Sequence, residues 1–109
     1  MKSTSLGEFE ELVLLMIGAL KDEAYGNNLK KEIAKRTGRN PSIGALHSAL
    51  YRLEEKGFLE SWVGGATHER GGRRKKYFQL SENGLAAIQN AYDLRNQLYL
   101  LIPEINSQR

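Results

Sequence analysis

The sequence has no cysteine among its 109 residues. That excludes a disulfide framework, thiolate metal sites and a cysteine nucleophile, and it fits a reducing compartment. Histidine is scarce. His47 and His68 are the only two, and neither has a second histidine at i+3 or i+4, so no histidine-based metal site is expected. Aspartate occurs only as Asp22 and Asp93, which leaves few groups for an acid–base centre. Glu10–Glu11 and Glu54–Glu55 are paired carboxylates, but helix neighbours diverge by about 100° and do not converge on one substrate. No apolar run is long enough for a bilayer; the longest is Leu12 to Ile17. Met1-Lys2-Ser3-Thr4-Ser5 meets Glu8, Glu10 and Glu11 before that run, unlike a secretory signal. The expectation is a cytoplasmic, single-core protein that is not an enzyme, needs no cofactor or metal, and does not engage membrane.

What is present is a displaced basic charge. The chain carries 16 Lys plus Arg against 13 Asp plus Glu, net +3. Residues 1–25 and 81–109 are net acidic, whereas the middle is basic, most densely at Arg70, Arg73, Arg74, Lys75 and Lys76. Such a cluster suggests an anionic partner, nucleic acid first.

Periodicity divides the chain into helices and a hairpin. Phe9, Leu12, Val13, Met16, Ile17 and Leu20 recur at helical spacing over residues 6–21, with Leu14 and Leu15 widening the stripe. A helix that apolar is central to a core or part of an interface. Ser5 with Glu8 reads as its capping box. A second helix opens at Tyr25-Gly26 on Leu29, Ile33 and Ala34, and ends at Gly38 ahead of Pro41. A third runs from Ser42, its N-cap, to Lys56, before Gly57. Its apolar face is Ile43, Leu46, Ala49, Leu50 and Leu53; the other carries Gly44, Ala45, His47, Ser48, Tyr51 and Arg52. Residues 58–63 and 75–80 suit two strands, joined by a glycine-rich loop. The last helix starts at Ser81 and reaches Ile102, stopped by Pro103, a span of roughly 33 Å. Its apolar residues form two stripes covering around 200° of the helix.

Three helices, a hairpin with a basic tip and a further helix are the order of a winged helix-turn-helix. The expected fold is mostly α with a small β-hairpin: residues 1–80 form the DNA-binding domain, and residues 81–109 a dimerisation helix and tail. Small side chains at Gly44 and Ala45 let the third helix enter a major groove about 12 Å wide. His47, Ser48, Tyr51 and Arg52 would meet base edges or phosphates, Ser42 lies at the helix entry, and the wing cations would settle on the backbone. One small core cannot bury both stripes of the last helix. Ala91, Leu94, Leu98 and Leu101, with Phe9 and Val13 of the first helix, are therefore expected to pair two copies.

Four stretches resemble the PadR-like family of transcriptional regulators. Leu6-Gly7-Glu8-Phe9-Glu10-Glu11-Leu12-Val13-Leu14-Leu15 is similar to the family's N-terminus, and Ala24-Tyr25-Gly26 to the opening of its second helix. Ser42-Ile43-Gly44-Ala45-Leu46, followed by Leu50-Tyr51-Arg52-Leu53-Glu54-Glu55-Lys56-Gly57, resembles its recognition helix. Residues 69–81 resemble its wing and the start of the last helix. The resemblance covers about residues 5–85 and implies a dimeric bacterial repressor, often responsive to a small-molecule effector, that dimerises through its C-terminal helix. It is to the compact branch with one such helix. Where the family usually has Tyr, this chain has His47; where some members sandwich flat apolar compounds between tryptophans, its last helix has Tyr92 and Tyr99. That drug-binding role is therefore not carried over.

The alternative is a winged-helix protein–protein module without specific DNA binding, which would need neither the basic wing nor the small first turn of the third helix. A double-stranded RNA binder is disfavoured because the deep RNA major groove does not admit side-chain readout.

Overall fold

A computed structural model describes residues 5–64 and 74–107. In chain order the elements are α1 (Glu8–Leu20), α2 (Gly26–Thr37), α3 (Ile43–Glu55), β1 (Leu59–Val63), β2 (Lys76–Leu80), α4 (Glu82–Leu100) and a short α5 (Pro103–Asn106). A single 3₁₀ turn, Lys21–Glu23, links α1 to α2. The sequence expectation of three helices, a hairpin and a long helix is met, with strand ends one residue shorter.

α1 is the central helix. Val13, Leu14, Met16 and Ile17 are buried, and they pack with Leu29 and Ile33 of α2 and Leu46, Ala49, Leu50 and Leu53 of α3. Phe58, Leu59 and Phe78 close the core from the hairpin side. The start of α1 differs from the Ser5 reading. The N-cap is Gly7, whose N–H donates to Glu10 Oε1 at 2.9 Å. α2 ends at Gly38 with φ +76°, as its C′ role requires. α3 begins at Ser42, whose Oγ accepts the Ala45 N–H at 3.0 Å.

β1 and β2 pair antiparallel from Leu59↔Leu80 to Val63↔Lys76. The Phe78 N–H also donates to the Ala24 carbonyl at 2.9 Å, and Tyr25 bridges Tyr77, so the wing is anchored to the entry of α2. Trp62 stacks on Tyr77 with centroids 5.7 Å apart, and Tyr25 meets Tyr77 edge-on at 5.5 Å.

α4 is fixed at its first turn. Ser81 Oγ accepts from the Gly84 N–H and donates to the Gly57 carbonyl. Gly84 lies so close to the Phe58 carbonyl that any Cβ would overlap it. Beyond that turn, Ala87 and Ile88 reach the core, and the helix then runs free of it. The core does not cover a whole stripe, contrary to expectation: Leu85, Tyr92, Tyr99 and Ile102 are exposed, as are Leu94, Leu98 and Leu101. The radius of gyration, 16.4 Å, exceeds the roughly 13 Å of a compact chain this long, in keeping with a projecting helix. Pro103 also does more than stop α4, since it opens α5 at a position where its missing N–H costs nothing.

Candidate nucleic-acid interface

The second and third helices fold as a helix-turn-helix whose outer face is α3. Ser42, Gly44, Ala45, His47, Ser48, Tyr51 and Arg52 are all exposed, while Leu46, Ala49, Leu50 and Leu53 are buried beneath them. Ile43 departs from the inward placement read from periodicity, for it is exposed at the helix entry. A Cβ at Gly26 would lie 3.8 Å from the His47 imidazole, so His47 sits on the α2 flank of this face. The Tyr51 hydroxyl donates to Glu55 Oε2 at 3.2 Å; that hydrogen bond and the Glu55 charge raise the phenol's pKa above its ordinary value. Tyr51 is thus a neutral group on the outer face, its hydroxyl turned to Glu55.

Arg52 has an assignment that composition did not reveal. Its Nε–H donates to Glu10 Oε2 at 2.9 Å, while Glu10 Oε1 accepts from Lys56 Nζ at 2.8 Å. Lys56 also donates to the Ser5 carbonyl at 2.8 Å. Glu10 is buried. Desolvation would raise its pKa, but hydrogen bonds from Lys56, the Gly7 N–H and Arg52, with the Lys56 charge, outweigh it and bring the pKa down to about 2. The signal available in sequence was a carboxylate three residues after Gly7, on the inward side of a helix whose apolar stripe already included Phe9 and Val13.

The wing presents cations beside α3. Arg74, Lys75 and Lys76 are exposed. Lys75 Nζ stands 4.2 Å from the centroid of the Tyr25 ring, a cation–π contact that places it at the wing base. Lys76 Nζ is 3.6 Å from Glu54 Oε1. Arg70 and Arg73 lie outside the described residues.

The expected pairing surface divides. Val13 has no solvent exposure and belongs to the chain's own core, so it offers nothing to a second copy; α1 is buried on every side but one. Phe9 is half-buried, with the Arg39 guanidinium 5.3 Å from its ring centroid. The large apolar residue that α1 shows to solvent is Leu15. It borders a groove of about 370 Å³ lined with Ile88, Tyr92, Arg95, Asn96 and Tyr99 of α4 and with Glu11. Arg95 Nη2 lies 2.8 Å from the buried Glu11 Oε1, an ionic contact without hydrogen-bond alignment. Ala91 is half-buried, and Leu94, Leu98 and Leu101 are exposed. Among the described residues no three His, Cys, Asp or Glu side chains converge to hold a metal, and no helix is long and apolar enough to cross a membrane.

A capped, small-residue helix over a three-helix core, beside a basic two-stranded wing, defines a winged helix-turn-helix protein. The family model described as the transcriptional regulator PadR-like family matches residues 13–90, well over half of the chain. The chain belongs to that family, and so is a DNA-binding transcriptional regulator in general type rather than an enzyme. Solved structures share the fold. A PadR-like transcription factor from Bacteroides fragilis superposes with a TM-score of 0.74 at 21% identity, covering 89% of this chain and 88% of that one. A PadR-like regulator from Bacillus cereus gives 0.71 at 20% identity, covering 89% of each chain. A PadR family regulator from Clostridium difficile gives 0.64 at 23% identity, over 94% of this chain and 97% of that one. No curated protein sequence matches the chain significantly.

Proposed function

We propose that this chain is a sequence-specific repressor of bacterial transcription, acting in the cytoplasm as a homodimer on duplex DNA. The observation that carries the reading is the outer face of α3, where Gly44, Ala45, His47, Ser48 and Tyr51 form one exposed arc with no carboxylate before Glu54. Small groups at its N-terminal half let the backbone approach base edges, and the larger ones follow a turn later. Arg70, Arg73, Arg74, Lys75 and Lys76 bring the wing's positive charge to the phosphates, giving affinity more than selectivity. Residues 1–80 read DNA and residues 81–109 pair two copies.

Pairing rests on α4. Leu94, Leu98 and Leu101 leave a long apolar stripe in water, and a second α4 with the same pattern would cover it. A small-molecule effector fits the α1–α4 groove. Leu15, Ile88, Tyr92 and Tyr99 wall it, and Glu11 and Arg95 are at hand for a polar end. A ligand there would bear on the angle between the two DNA-reading domains.

The test is titration of duplexes selected from random sequence, comparing the parent with Ser48→Ala and His47→Ala. Changed base preference at particular half-site positions supports the reading, with each lost base contact costing on the order of 1–3 kcal/mol. A parent that binds every duplex alike contradicts it.

A further inference from the structure

We propose that Glu10 is the positioning residue for sequence selectivity: it grips the Nε edge of Arg52 so that the guanidinium's distal pair of nitrogens faces DNA as a fixed fork for a guanine edge. The inference deepens the DNA-binding role proposed above and rests on it.

The contacts divide the labour on one carboxylate. Oε1 takes Lys56 and the Gly7 N–H; Oε2 takes Arg52 through Nε at 2.9 Å. The two cations then differ. The Lys56 side chain is 16% exposed, and its ammonium is held by Glu10 and by the Ser5 carbonyl. The Arg52 side chain is 51% exposed, although its carboxylate partner is only 7% exposed. Half of this arginine therefore remains in solvent while its Nε is held by a buried carboxylate. A guanidinium is planar, so an Nε turned to Glu10 directs the Nη1 and Nη2 pair away from that carboxylate.

The surroundings suit such a fork. Ser48 and Ala45 occupy the exposed face of the turns of α3 that precede Arg52. Both are short, and neither blocks the approach of a base pair. Paired acceptors that match two parallel N–H groups occur on guanine as O6 and N7. Freed of Glu10, the same side chain would roam and meet phosphates on any sequence, and the site would carry one more uncompensated positive charge.

The experiment uses the full chain and a duplex selected by it, with random duplex as reference. The variants are Glu10→Gln, Arg52→Lys, Arg52→Gln and the Glu10→Gln/Arg52→Gln pair, each checked by far-UV circular dichroism. In the parent, one half-site guanine should be required, and 7-deazaguanine there should weaken binding about tenfold. Glu10→Gln should bind random duplex more tightly and steepen the salt dependence by about 0.9 per added phosphate contact. Its selectivity for the selected duplex should fall about tenfold. Arg52→Lys keeps the charge but not the fork, so it should lose the guanine requirement; it tests the claim even where Glu10→Gln fails to fold. With Arg52→Gln in place, Glu10→Gln should change selectivity no further. A merely structural Glu10 would not produce that coupling.

Unchanged selectivity in Glu10→Gln overturns the inference, as does an Arg52→Lys variant that keeps the guanine requirement. A loss that is equal on all duplexes also overturns it, because Arg52 is then a phosphate contact. If the parent selects no sequence at all, the DNA-reading role falls with it; if the parent selects and only the variants behave as parent, this inference alone falls.

Discussion

Glutamate substituted at Leu94 and Leu98 together should convert a dimer into folded monomers. Leu94 is 56% exposed and Leu98 is 55% exposed, so about half of each side chain is still open to burial by a partner. Full burial of a leucine is worth roughly 1.5–3 kcal/mol, which puts the remaining gain near 1 kcal/mol per residue. Two residues in each of two copies give about 4 kcal/mol, close to a thousandfold in the dimer dissociation constant. Four carboxylates brought into one apolar seam add desolvation and repulsion to that loss. Neither residue belongs to the core built by α1, α2 and α3, so the monomer should keep its helical spectrum. Sedimentation equilibrium over a hundredfold range of concentration, beside a DNA titration, measures the effect. The parent should fit a dimer and the variant a monomer with weak, unselective binding. A variant that stays folded and dimeric would refute the reasoning, because the pairing surface would then lie elsewhere.

Three further outcomes are expected. Glu10 has its carboxyl lowered from 4.5 to about 2, so its stabilisation is complete above pH 4.5 and is lost as pH falls from there through 2. Urea denaturation should show the parent up to about 3 kcal/mol more stable than Glu10→Gln at pH 6, with the gap closing near pH 2; a gap independent of pH would contradict the assignment. Gly84→Ala forces a Cβ into the Phe58 carbonyl and should lower the urea midpoint by the equivalent of about 1–3 kcal/mol, whereas an unchanged midpoint would show that α4 can shift freely. Arg73→Ala with Arg74→Ala should weaken binding to all duplexes by similar factors and flatten the salt slope by about 0.9 per lost contact; a loss confined to one sequence would make these residues base readers.

The helix ends were legible wherever local chemistry decides them. Ser42, Ser81 and Gly38 act as their residue types suggest, since a hydroxyl or an absent Cβ at those positions answers a need of the adjacent backbone. The start of α1 was misread because two carboxylates, Glu8 and Glu10, stand in capping reach of two different residues, and the hydrogen bond goes from Gly7 to Glu10. Periodicity also told how wide an apolar face is, not which part of it a neighbour covers. Val13 and Leu15 both belong to the wide stripe of α1, yet Val13 lies in the core and Leu15 faces solvent. Ile43 counts as inward by angle but stands at the helix entry, beyond the reach of the core. The α3 face was legible as an arc of small and polar residues. The tie from Arg52 to Glu10 was not, because it joins residues 42 positions apart in sequence. Such a contact depends on how α1 crosses α3, which no local pattern encodes.

Selection of bound sequences from random duplex DNA tests the central claim most directly. A two-fold dimer that places one α3 in each of two major grooves should enrich sites with dyad symmetry, their half-site centres one helical turn, or about 34–36 Å, apart. Enrichment of sites without dyad symmetry, or of none at all, would contradict it.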